Sequence, residues 1–295
     1  MFKPGMEQFN DATLVSVVIL TKNGGDIFQQ SIQKIFSQRC AFSFEVVVVD
    51  SGSTDGTLNF LKDYPIRLFQ IKPQDFKFGP TRNFGFSQAL GEYVITLSQD
   101  VVPVDMHLLS ALVRPLIEDK ADVVQGKTVV FEGADVFYWV KKGFFYFTRE
   151  SWKFGKENGN INLSCTNMAI KKSVWKDTGF GDAPMSEDKF LQKKLFAKNY
   201  RMVSESSAVA YHGHQYTCNS LIKRCENEGF GWRLLGVKYD FVDMLKDLVQ
   251  DRWVYKIFWN GFIQGEIKRC SELLFLIIRP LFIYKGNAFN TKYKF

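Results

Sequence analysis

Acidic side chains stand at three positions of the sequence where they could take part in chemistry. Asp50 ends the apolar run FEVVVVD, and Asp100 follows the run YVITLS and Gln99. Glu187 and Asp188 stand at the start of the amphipathic segment SEDKFLQKKL. A carboxylate in such a position can accept hydrogen bonds, bind a divalent cation or remove a proton from a hydroxyl group. The sequence therefore offers candidate residues both for a metal site and for general-base catalysis.

Two histidines, His212 and His214, follow the apolar stretch AVAY. Because side chains alternate between the faces of a strand, both histidines are predicted to lie on the same face. Imidazole is a ligand that Mn²⁺ tolerates beside carboxylate oxygen, so either histidine could join Asp100 in a metal site. The alternative is that one histidine is structural and the other is exposed to solvent.

Apolar β-branched runs alternate with amphipathic segments through the first two thirds of the chain. LVSVVILT, FEVVVVD, IRLFQI and YVITLS are predicted strands, and helical patterns separate them. This alternation predicts an α/β fold in which helices flank a mostly parallel sheet. Ligands of such sheets bind beyond the carboxyl ends of the strands, so the polar residues there should converge. These residues are Thr21, Lys22, Asn23, Asp50, Asp100, His212 and His214.

The segment VVVVDSGSTDGT is the strongest local signal. Asp50 could accept a hydrogen bond from a base imide or a ribose hydroxyl, and Gly52 and Ser53 permit a tight turn into a helix. The segment lacks the GxGxxG pattern, and the chain has no GxxxxGK[ST] loop, so neither dinucleotide binding nor P-loop chemistry is favoured. The alternative is a strand–turn–helix cap without a ligand.

Composition and charge narrow the class of protein. The chain has 295 residues, of which 46% are apolar and 23% charged, as in globular proteins. Its five cysteines include no CxxC pair, which favours free thiols in a reducing compartment. The net charge of +7 is scattered, which disfavours nucleic acid and suits an anionic membrane or a phosphorylated substrate. No leader-like segment precedes Val15, and the apolar segment LLFLII is too short to span a bilayer, so a cytoplasmic location is expected.

The sequence pattern changes after the two histidines. We predict a sheet domain over residues 1–218 and a helical extension over residues 219–295. The extension contains WVYKIFWNGF and later LLFLIIRPLFIYKG, which mix aromatic residues with lysine and arginine. Helices that lie on a membrane surface show this pattern. The equally weighted alternative is a helix pair that packs on the sheet domain or on a second copy of the chain.

Five segments carry a resemblance to a known family. In SVVILTKN, VVVVDSGSTDGT, TRNFG, SQD and SEDKFLQKKL, in that order, the chain resembles family 2 glycosyltransferases of the GT-A fold. The resemblance extends from about Val15 to His214. SQDVVP, TRNFG and HGH together look like the bacterial rhamnosyltransferase branch. Phe78 is a departure, because that branch tends to carry a histidine there, and it leaves the donor sugar open.

The resemblance implies roles for particular residues. A nucleotide-diphosphate sugar is the implied donor, and Mg²⁺ or Mn²⁺ is the implied cofactor, with Asp100 and either His212 or His214 as ligands. Asp188 is the implied general base of an inverting transfer, and Glu187 supports it or contacts the acceptor. Arg82 is expected to contact a phosphate or the base, with a plain helix-surface arginine as the alternative. The implied donor-binding residues are Thr21, Asn23, Asp50, Ser53, Arg82, Gln99 and Asp100.

The expected function is inverting, metal-dependent transfer of a sugar, with dTDP-rhamnose as the first-choice donor, in bacterial surface-polysaccharide synthesis. The expected acceptor is a glycan or a lipid-linked glycan, reached by peripheral contact with the inner face of the cell membrane. The alternative role expected for the helical extension is contact with a second copy of the chain in a homo-oligomer. A UDP-hexose or UDP-N-acetylhexosamine is the alternative donor. The lack of a second aspartate before Asp100 motivates a further alternative, a nucleotide-sugar-binding protein without turnover.

Overall fold

The computed structural model describes residues 14–131, 133–143, 149–249 and 252–294, and it divides them into two compact units. The sheet unit contains residues 14–131 and 154–212. The helical unit contains residues 133–143, 149–153, 213–249 and 252–294. The sequence pattern places a boundary near residue 218 but does not reveal that a segment from the middle of the chain belongs to the helical unit. The expectation that no leader precedes Val15 falls on residues 1–13, outside the described residues.

One sheet of eight strands organises the sheet unit. The strands are β1 (Val15–Thr21), β2 (Phe44–Asp50), β3 (Ile66–Gln70), β4 (Tyr93–Ser98), β5 (Val102–Pro103), β6 (Val123–Val129), β7 (Asn167–Lys171) and β8 (Met202–Tyr211). Their order is β3-β2-β1-β4-β7-β6-β8-β5. Strands β3, β2, β1 and β4 are parallel, as are β6 and β8, whereas β7 is antiparallel to both neighbours and β5 is antiparallel to β8. The predicted mostly parallel sheet is confirmed.

Helices cover both faces of this sheet. Those of the sheet unit are α1 (Gly25–Phe36), α2 (Thr57–Leu61), α3 (Phe78–Gln88), α4 (Leu108–Ile117), α7 (Lys172–Thr178) and α8 (Glu187–Ala197). Helix α6 (Arg149–Glu157) contains the change from one unit to the other. Val17 of β1 packs in a cluster with Ile32 of α1, and Val18 packs in a second cluster with Phe86 of α3 and Leu191 of α8. Burial on both faces explains why the central strands are continuous apolar runs.

A glycine lets helix α3 approach the sheet closely. A Cβ atom on Gly85 would lie 2.7 Å from Cγ1 of Val18 and 3.2 Å from Cγ2 of Val49. Such contacts are too short for a side chain to fit without displacement of its neighbours. The glycine of TRNFG therefore sets the distance between α3 and strands β1 and β2, and with it the position of the polar residues on α3.

The helical unit contains α5 (Tyr138–Lys141), α9 (Cys218–Leu234), α10 (Phe241–Leu248), α11 (Arg252–Ile263), α12 (Cys270–Leu273) and α13 (Phe275–Phe289). Helices α9 and α13 cross closely, because a Cβ atom on Gly229 or Gly286 would overlap the backbone of the other helix. Beside this crossing, Arg279 of α13 donates to Glu228 of α9, with a distance of 2.8 Å from Nη2 to Oε1. None of the helices that the structure describes is both long enough and apolar enough to cross a membrane.

Candidate active site

The carboxyl ends of the central parallel strands lie side by side. Thr21 at the end of β1 is in register with Asp50 at the end of β2, and Leu20 is in register with Ser98 at the end of β4. Because Gln99 and Asp100 follow Ser98 directly, the structure brings the polar ends of all three strands to one edge of the sheet. This edge is the candidate site.

Gln99 joins the ends of β1 and β4. Its Oε1 accepts hydrogen bonds from Oγ1 of Thr21 at 2.8 Å and from the backbone N–H of Lys22 at 2.9 Å. A neutral amide therefore occupies the place where a second strand-end aspartate could stand. It holds two strand ends together and fixes the backbone that presents Asp100. The predicted contact of Gln99 and Thr21 with a donor stays a prediction.

Asp50 is fully buried and organises the turn that follows it. Its Oδ2 accepts hydrogen bonds from the backbone N–H groups of Gly52 at 2.9 Å and Ser53 at 3.1 Å, and the Ser53 hydroxyl donates to its Oδ1. Gly52 has a φ of 91°, a left-handed conformation that favours glycine. The carboxylate predicted to accept from a base or a ribose thus accepts from its own turn in this structure.

Asn23 and Ser53 connect this turn to the loop after β1. The backbone N–H of Asn23 donates to Oγ of Ser53 at 2.8 Å, and Oδ1 of Asn23 accepts from the backbone N–H of Thr54 at 2.7 Å. Asn23 has a φ of 49°, which asparagine adopts more readily than most residues do. Two loops from distant parts of the sequence are thereby fixed against one another at the sheet edge.

Arg82 of α3 is buried in an ion pair with Glu187 of α8. Its Nε and Nη2 both donate to Oε1 of Glu187, at 3.1 and 3.0 Å, and its Nη1 donates to Oγ1 of Thr96 in β4 at 2.6 Å. The two charged side chains are only 5% and 8% exposed. The alternative of a plain surface arginine is therefore wrong. The predicted contact with a phosphate or base stays a prediction, and in this structure the guanidinium is engaged by Glu187 and Thr96.

Burial acts on the protonation of this cluster. It raises the pKa of Glu187 above its ordinary value, while the nearby Arg82 guanidinium opposes that shift. Burial also raises the pKa of the Cys165 thiol well above its ordinary value, although the same guanidinium opposes it. Burial therefore keeps the Cys165 thiol neutral, and the Arg82 guanidinium is the group that favours the anionic form of Glu187.

Asp188 lies next to this ion pair but in a different environment. It is half-buried in the first turn of α8, and its Oδ1 accepts from the backbone N–H of Lys189 at 2.8 Å. Ser186, directly before the helix, has a φ of 58°, which is unusual for a residue other than glycine. The turn that presents Asp188 is thus a tight one, and Glu187 anchors it through Arg82.

Asn83 holds the segment that leads into this turn. Its Oδ1 accepts from Nε1 of Trp175 at 3.1 Å and from the backbone N–H of Phe180 at 3.0 Å, and its Nδ2 donates to the carbonyl of Gly181 at 3.2 Å. The sequence analysis missed this role, and it missed Thr96. The only signal for Asn83 was its place beside Arg82 in TRNFG, and for Thr96 it was a polar residue within an apolar strand.

Asp100 and His212 approach each other at the far end of the site. Oδ1 of Asp100 lies 3.5 Å from Nε2 of His212, and the two side chains are 25% and 9% exposed. His212 is held by its backbone N–H, which donates to the carbonyl of Val129 at 2.9 Å. A carboxylate oxygen beside an imidazole nitrogen is a donor set that fits Mn²⁺, so the sheet unit contains a candidate Asp/His metal site. His214 follows two residues later in the chain, within the helical unit.

Comparison with known proteins agrees with this fold. Residues 16–178 match the family described as glycosyl transferase family 2, and the match covers more than half of the chain. The chain therefore belongs to glycosyl transferase family 2 and is a glycosyltransferase, as the motifs predict.

One curated relative and two solved structures illustrate the similarity. The chain is 25% identical over 224 residues to the O-antigen chain rhamnosyltransferase RfbN of Salmonella typhimurium, covering 73% of this chain and 71% of RfbN. The mannosyltransferase PcManGT of Pyrobaculum calidifontis, in complex with GDP-Man and Mn²⁺, has a TM-score of 0.62 at 15% identity, covering 94% of this chain and 88% of its own.

The second solved structure is the glucosyl-3-phosphoglycerate synthase of Mycobacterium tuberculosis with Mn²⁺, UDP and phosphoglyceric acid. It has a TM-score of 0.59 at 16% identity, and the match covers 77% of this chain and 80% of that one. Both likenesses confirm the predicted GT-A fold class.

Proposed function

We propose that this protein is an inverting, metal-dependent glycosyltransferase that uses a nucleotide-diphosphate sugar. The observation that carries the proposal is the meeting of the β1, β2 and β4 ends with the Asp100–His212 pair. Arg82 ties the start of α8 to Thr96, two residues before the end of β4. A base on α8 and a metal site after β4 would thus belong to one catalytic edge.

The donor would be bound by the strand-end loops. Thr21, Asn23, Asp50 and Ser53 form the hydrogen-bonded frame that would receive the nucleotide, and Gln99 would lie beside its ribose or sugar. The similarity to an O-antigen chain rhamnosyltransferase supports dTDP-rhamnose as the first-choice donor. A UDP-hexose or UDP-N-acetylhexosamine is the alternative, and Phe78 leaves that choice open.

Mn²⁺ or Mg²⁺ would be held by Asp100 and His212, the histidine that lies beside Asp100 within the sheet unit. The carboxylate of Asp100 and the imidazole of His212 can each offer one ligand atom. When bound, the metal supplies positive charge that stabilises the departing pyrophosphate. Two protein ligands in the sheet unit leave coordination positions for phosphate oxygens and water.

Asp188 would act as the general base. It would remove the proton from the acceptor hydroxyl as that oxygen forms a bond to the anomeric carbon, and the bond from that carbon to the nucleotide diphosphate breaks. Glu187 is the weaker candidate, because it is buried and paired with Arg82. We assign Arg82 and Glu187 to positioning Asp188 rather than to contact with the nucleotide.

The acceptor would be a glycan or a lipid-linked glycan in bacterial surface-polysaccharide synthesis. This assignment is supported by the similarity to an O-antigen chain rhamnosyltransferase. The protein would act in the cytoplasm, at the inner face of the membrane. Its five cysteines form no disulfide, which suits a reducing compartment. Association with a second copy is the alternative use of its aromatic helices.

The test is a thermal-shift panel of dTDP-rhamnose, UDP-hexoses and UDP-N-acetylhexosamines, with and without Mn²⁺, because a ligand stabilises the folded state by mass action. Donors that stabilise the protein are then incubated with acceptor glycans, and NMR gives the anomeric configuration of the product. Retention of configuration would contradict the inverting mechanism. Donor stabilisation without transfer or donor hydrolysis would support a binding protein that has lost turnover.

A further inference from the structure

Helix α11 of the helical unit exposes a row of large apolar side chains. Tyr255, Trp259, Phe262 and Ile263 follow the helical spacing that places residues on one side of a helix. Trp259, Phe262 and Ile263 are 54%, 51% and 78% exposed. We call these four residues the α11 face. Tryptophan, phenylalanine and isoleucine are costly to leave in water at this density, so the row indicates a surface that is covered in use.

The opposite side of α11 is packed within the helical unit. The carbonyl of Ile257 accepts from the Tyr138 hydroxyl at 2.7 Å, and a Cβ atom on Gly261 would overlap the Tyr138 ring. The ring of Phe258 is stacked on Trp139 with the ring centroids 6.4 Å apart. These contacts hold the helix in place, so the α11 face is presented by an anchored element.

The charge around the α11 face favours an anionic surface over a second copy of the chain as the partner that covers it. No acidic residue occurs from Arg252 to Gln264, Lys256 is exposed, and the next acid, Glu266, is paired with Lys142 at 2.9 Å. In the sequence, residues 132–153 and 213–295 together contain 17 lysine and arginine residues against 11 acids, which accounts for nearly all of the chain's net charge of +7. An apolar face beside an exposed lysine, on a basic unit, fits an anionic surface and disfavours a symmetric contact with a second copy, in which like charges would meet.

We propose that the α11 face docks on an anionic lipid bilayer. The inference rests on the proposed function in one respect, because a lipid-linked acceptor would be found at that surface. Tryptophan and tyrosine favour the boundary between lipid and water, and lysine near them is attracted to anionic headgroups. The apolar side chains enter the headgroup region while the packed side of α11 stays within the protein.

The structure also identifies the segment that is unsuitable for a test. LLFLII runs from Leu273 into α13, which crosses α9 at Gly286 and pairs Arg279 with Glu228. Its removal would take apart the helical unit, so loss of membrane binding after such a deletion would carry no information. Substitutions on the α11 face change exposed side chains and leave the packed side of the helix intact.

The experiment is sedimentation of the full chain with vesicles of phosphatidylcholine, with and without about 30% phosphatidylglycerol. We expect Trp259→Ser with Phe262→Ser to lower the partition coefficient about tenfold or more, because two apolar side chains no longer enter the bilayer. We expect Lys256→Glu to weaken binding to anionic vesicles about fivefold or more and to leave binding to neutral vesicles unchanged. Trp259→Ser alone replaces the double variant if the latter does not fold.

The matched control is Phe241→Ser with Leu245→Ser on α10. These side chains are 53% and 44% exposed, but Asp243 lies in the first turn of that helix. We expect the control to bind vesicles as the unsubstituted chain does. Unchanged partitioning of the α11 variant, or an equal loss in the control, would overturn the proposal. Conversion of a dimer to a monomer in the α11 variant without loss of vesicle binding would overturn it in favour of a second copy.

Donor-induced thermal stabilisation, measured on the same proteins, separates this inference from the proposed function. We expect the α11 variant to be stabilised by the donor as the unsubstituted chain is, although it no longer binds the vesicles. A chain that binds vesicles through α11 and responds to no nucleotide sugar would overturn the proposed function alone.

Discussion

The Arg82 guanidinium and the Glu187 carboxylate form a buried ion pair, with Nη2 and Oε1 3.0 Å apart, that joins α3 to the first turn of α8. Removal of one partner from a buried ion pair leaves an uncompensated charge, which costs about 3–5 kcal/mol. The pair therefore holds the residue next to Glu187, the proposed base Asp188, in one position.

Arg82→Lys tests whether this pair positions the base or contacts the donor. Lysine keeps the charge but cannot donate to Glu187 and Thr96 together. We expect kcat to fall by about tenfold or more, while the donor dissociation constant measured by calorimetry changes by less than about threefold. Arg67→Lys is the matched control, because Arg67 pairs with Glu45 near the start of β2 at 2.7 Å. A large rise in the donor dissociation constant would instead assign Arg82 to the nucleotide.

Asp188→Asn tests the base. We expect kcat to fall by roughly 10²- to 10⁴-fold, because the amide cannot accept the proton of the acceptor. The melting temperature and the donor-induced shift should be preserved, since Asp188 is only half-buried and asparagine has nearly the same shape. Glu187→Gln should lower the melting temperature instead, because it breaks the pair with Arg82. If the asparagine variant transfers sugar at the normal rate, the base lies elsewhere.

Asp100→Asn and His212→Gln test the metal site. We expect each to reduce the Mn²⁺-dependent part of the donor-induced thermal shift, and chelation by EDTA to remove that part from the unsubstituted protein. His107→Gln is the control, since His107 precedes α4 and is exposed. A full Mn²⁺ response in both site variants would show that the metal is bound by other residues.

Gly85→Ala tests the close approach of α3 to the sheet. A Cβ atom there would lie 2.7 Å from Val18, so we expect a loss of about 1–3 kcal/mol in the free energy of unfolding. Gly56→Ala is the control, because a Cβ atom at Gly56 meets no atom within 4 Å. Denaturant unfolding of both variants gives the comparison. Equal stability of the two variants would contradict this account of the TRNFG glycine.

The environment of Asp122 predicts how the free energy of unfolding changes at acidic pH. Hydrogen bonds from Arg201 and Lys171 hold the pKa of Asp122 well below its usual range, although partial burial opposes them. The unfolded chain therefore binds this proton more tightly than the folded chain does. The stabilisation is complete above the ordinary aspartate pKa of about 4 and is lost as the pH falls below it, by at most about 1.4 kcal/mol per pH unit.

Asp122→Asn should remove this contribution. We expect a lower melting temperature at neutral pH and a weaker decline between about pH 4 and pH 2. Melting curves across that range provide the measurement. An acid dependence identical to that of the unsubstituted chain would show that other carboxylates govern it.

The sequence by itself determined the class of fold and pointed to the edge of the sheet that forms the candidate site. Buried parallel strands have to be continuous apolar runs, and ligands of such sheets bind at the carboxyl ends of the strands, so Asp50 and Asp100 could be assigned to that edge from local pattern alone. The assignment of Asp188 as the general base came from the family motifs, because a hydrophobic pattern predicts helices and strands but not the chemical role of a residue.

Only the tertiary structure decided which partners these residues have. Arg82 and Glu187 are 105 positions apart in the sequence, and Gln99 and Thr21 are 78 positions apart. Neither contact could therefore be predicted from local sequence spacing. The structure shows that Gln99 ties the ends of two strands together and that Arg82 anchors the start of α8. It also showed that LLFLII runs into α13, which packs on α9, and that α11 carries a row of exposed apolar side chains. Burial decided these outcomes, because it depends on how α3, α8, α11 and α13 pack, and composition does not reveal that packing.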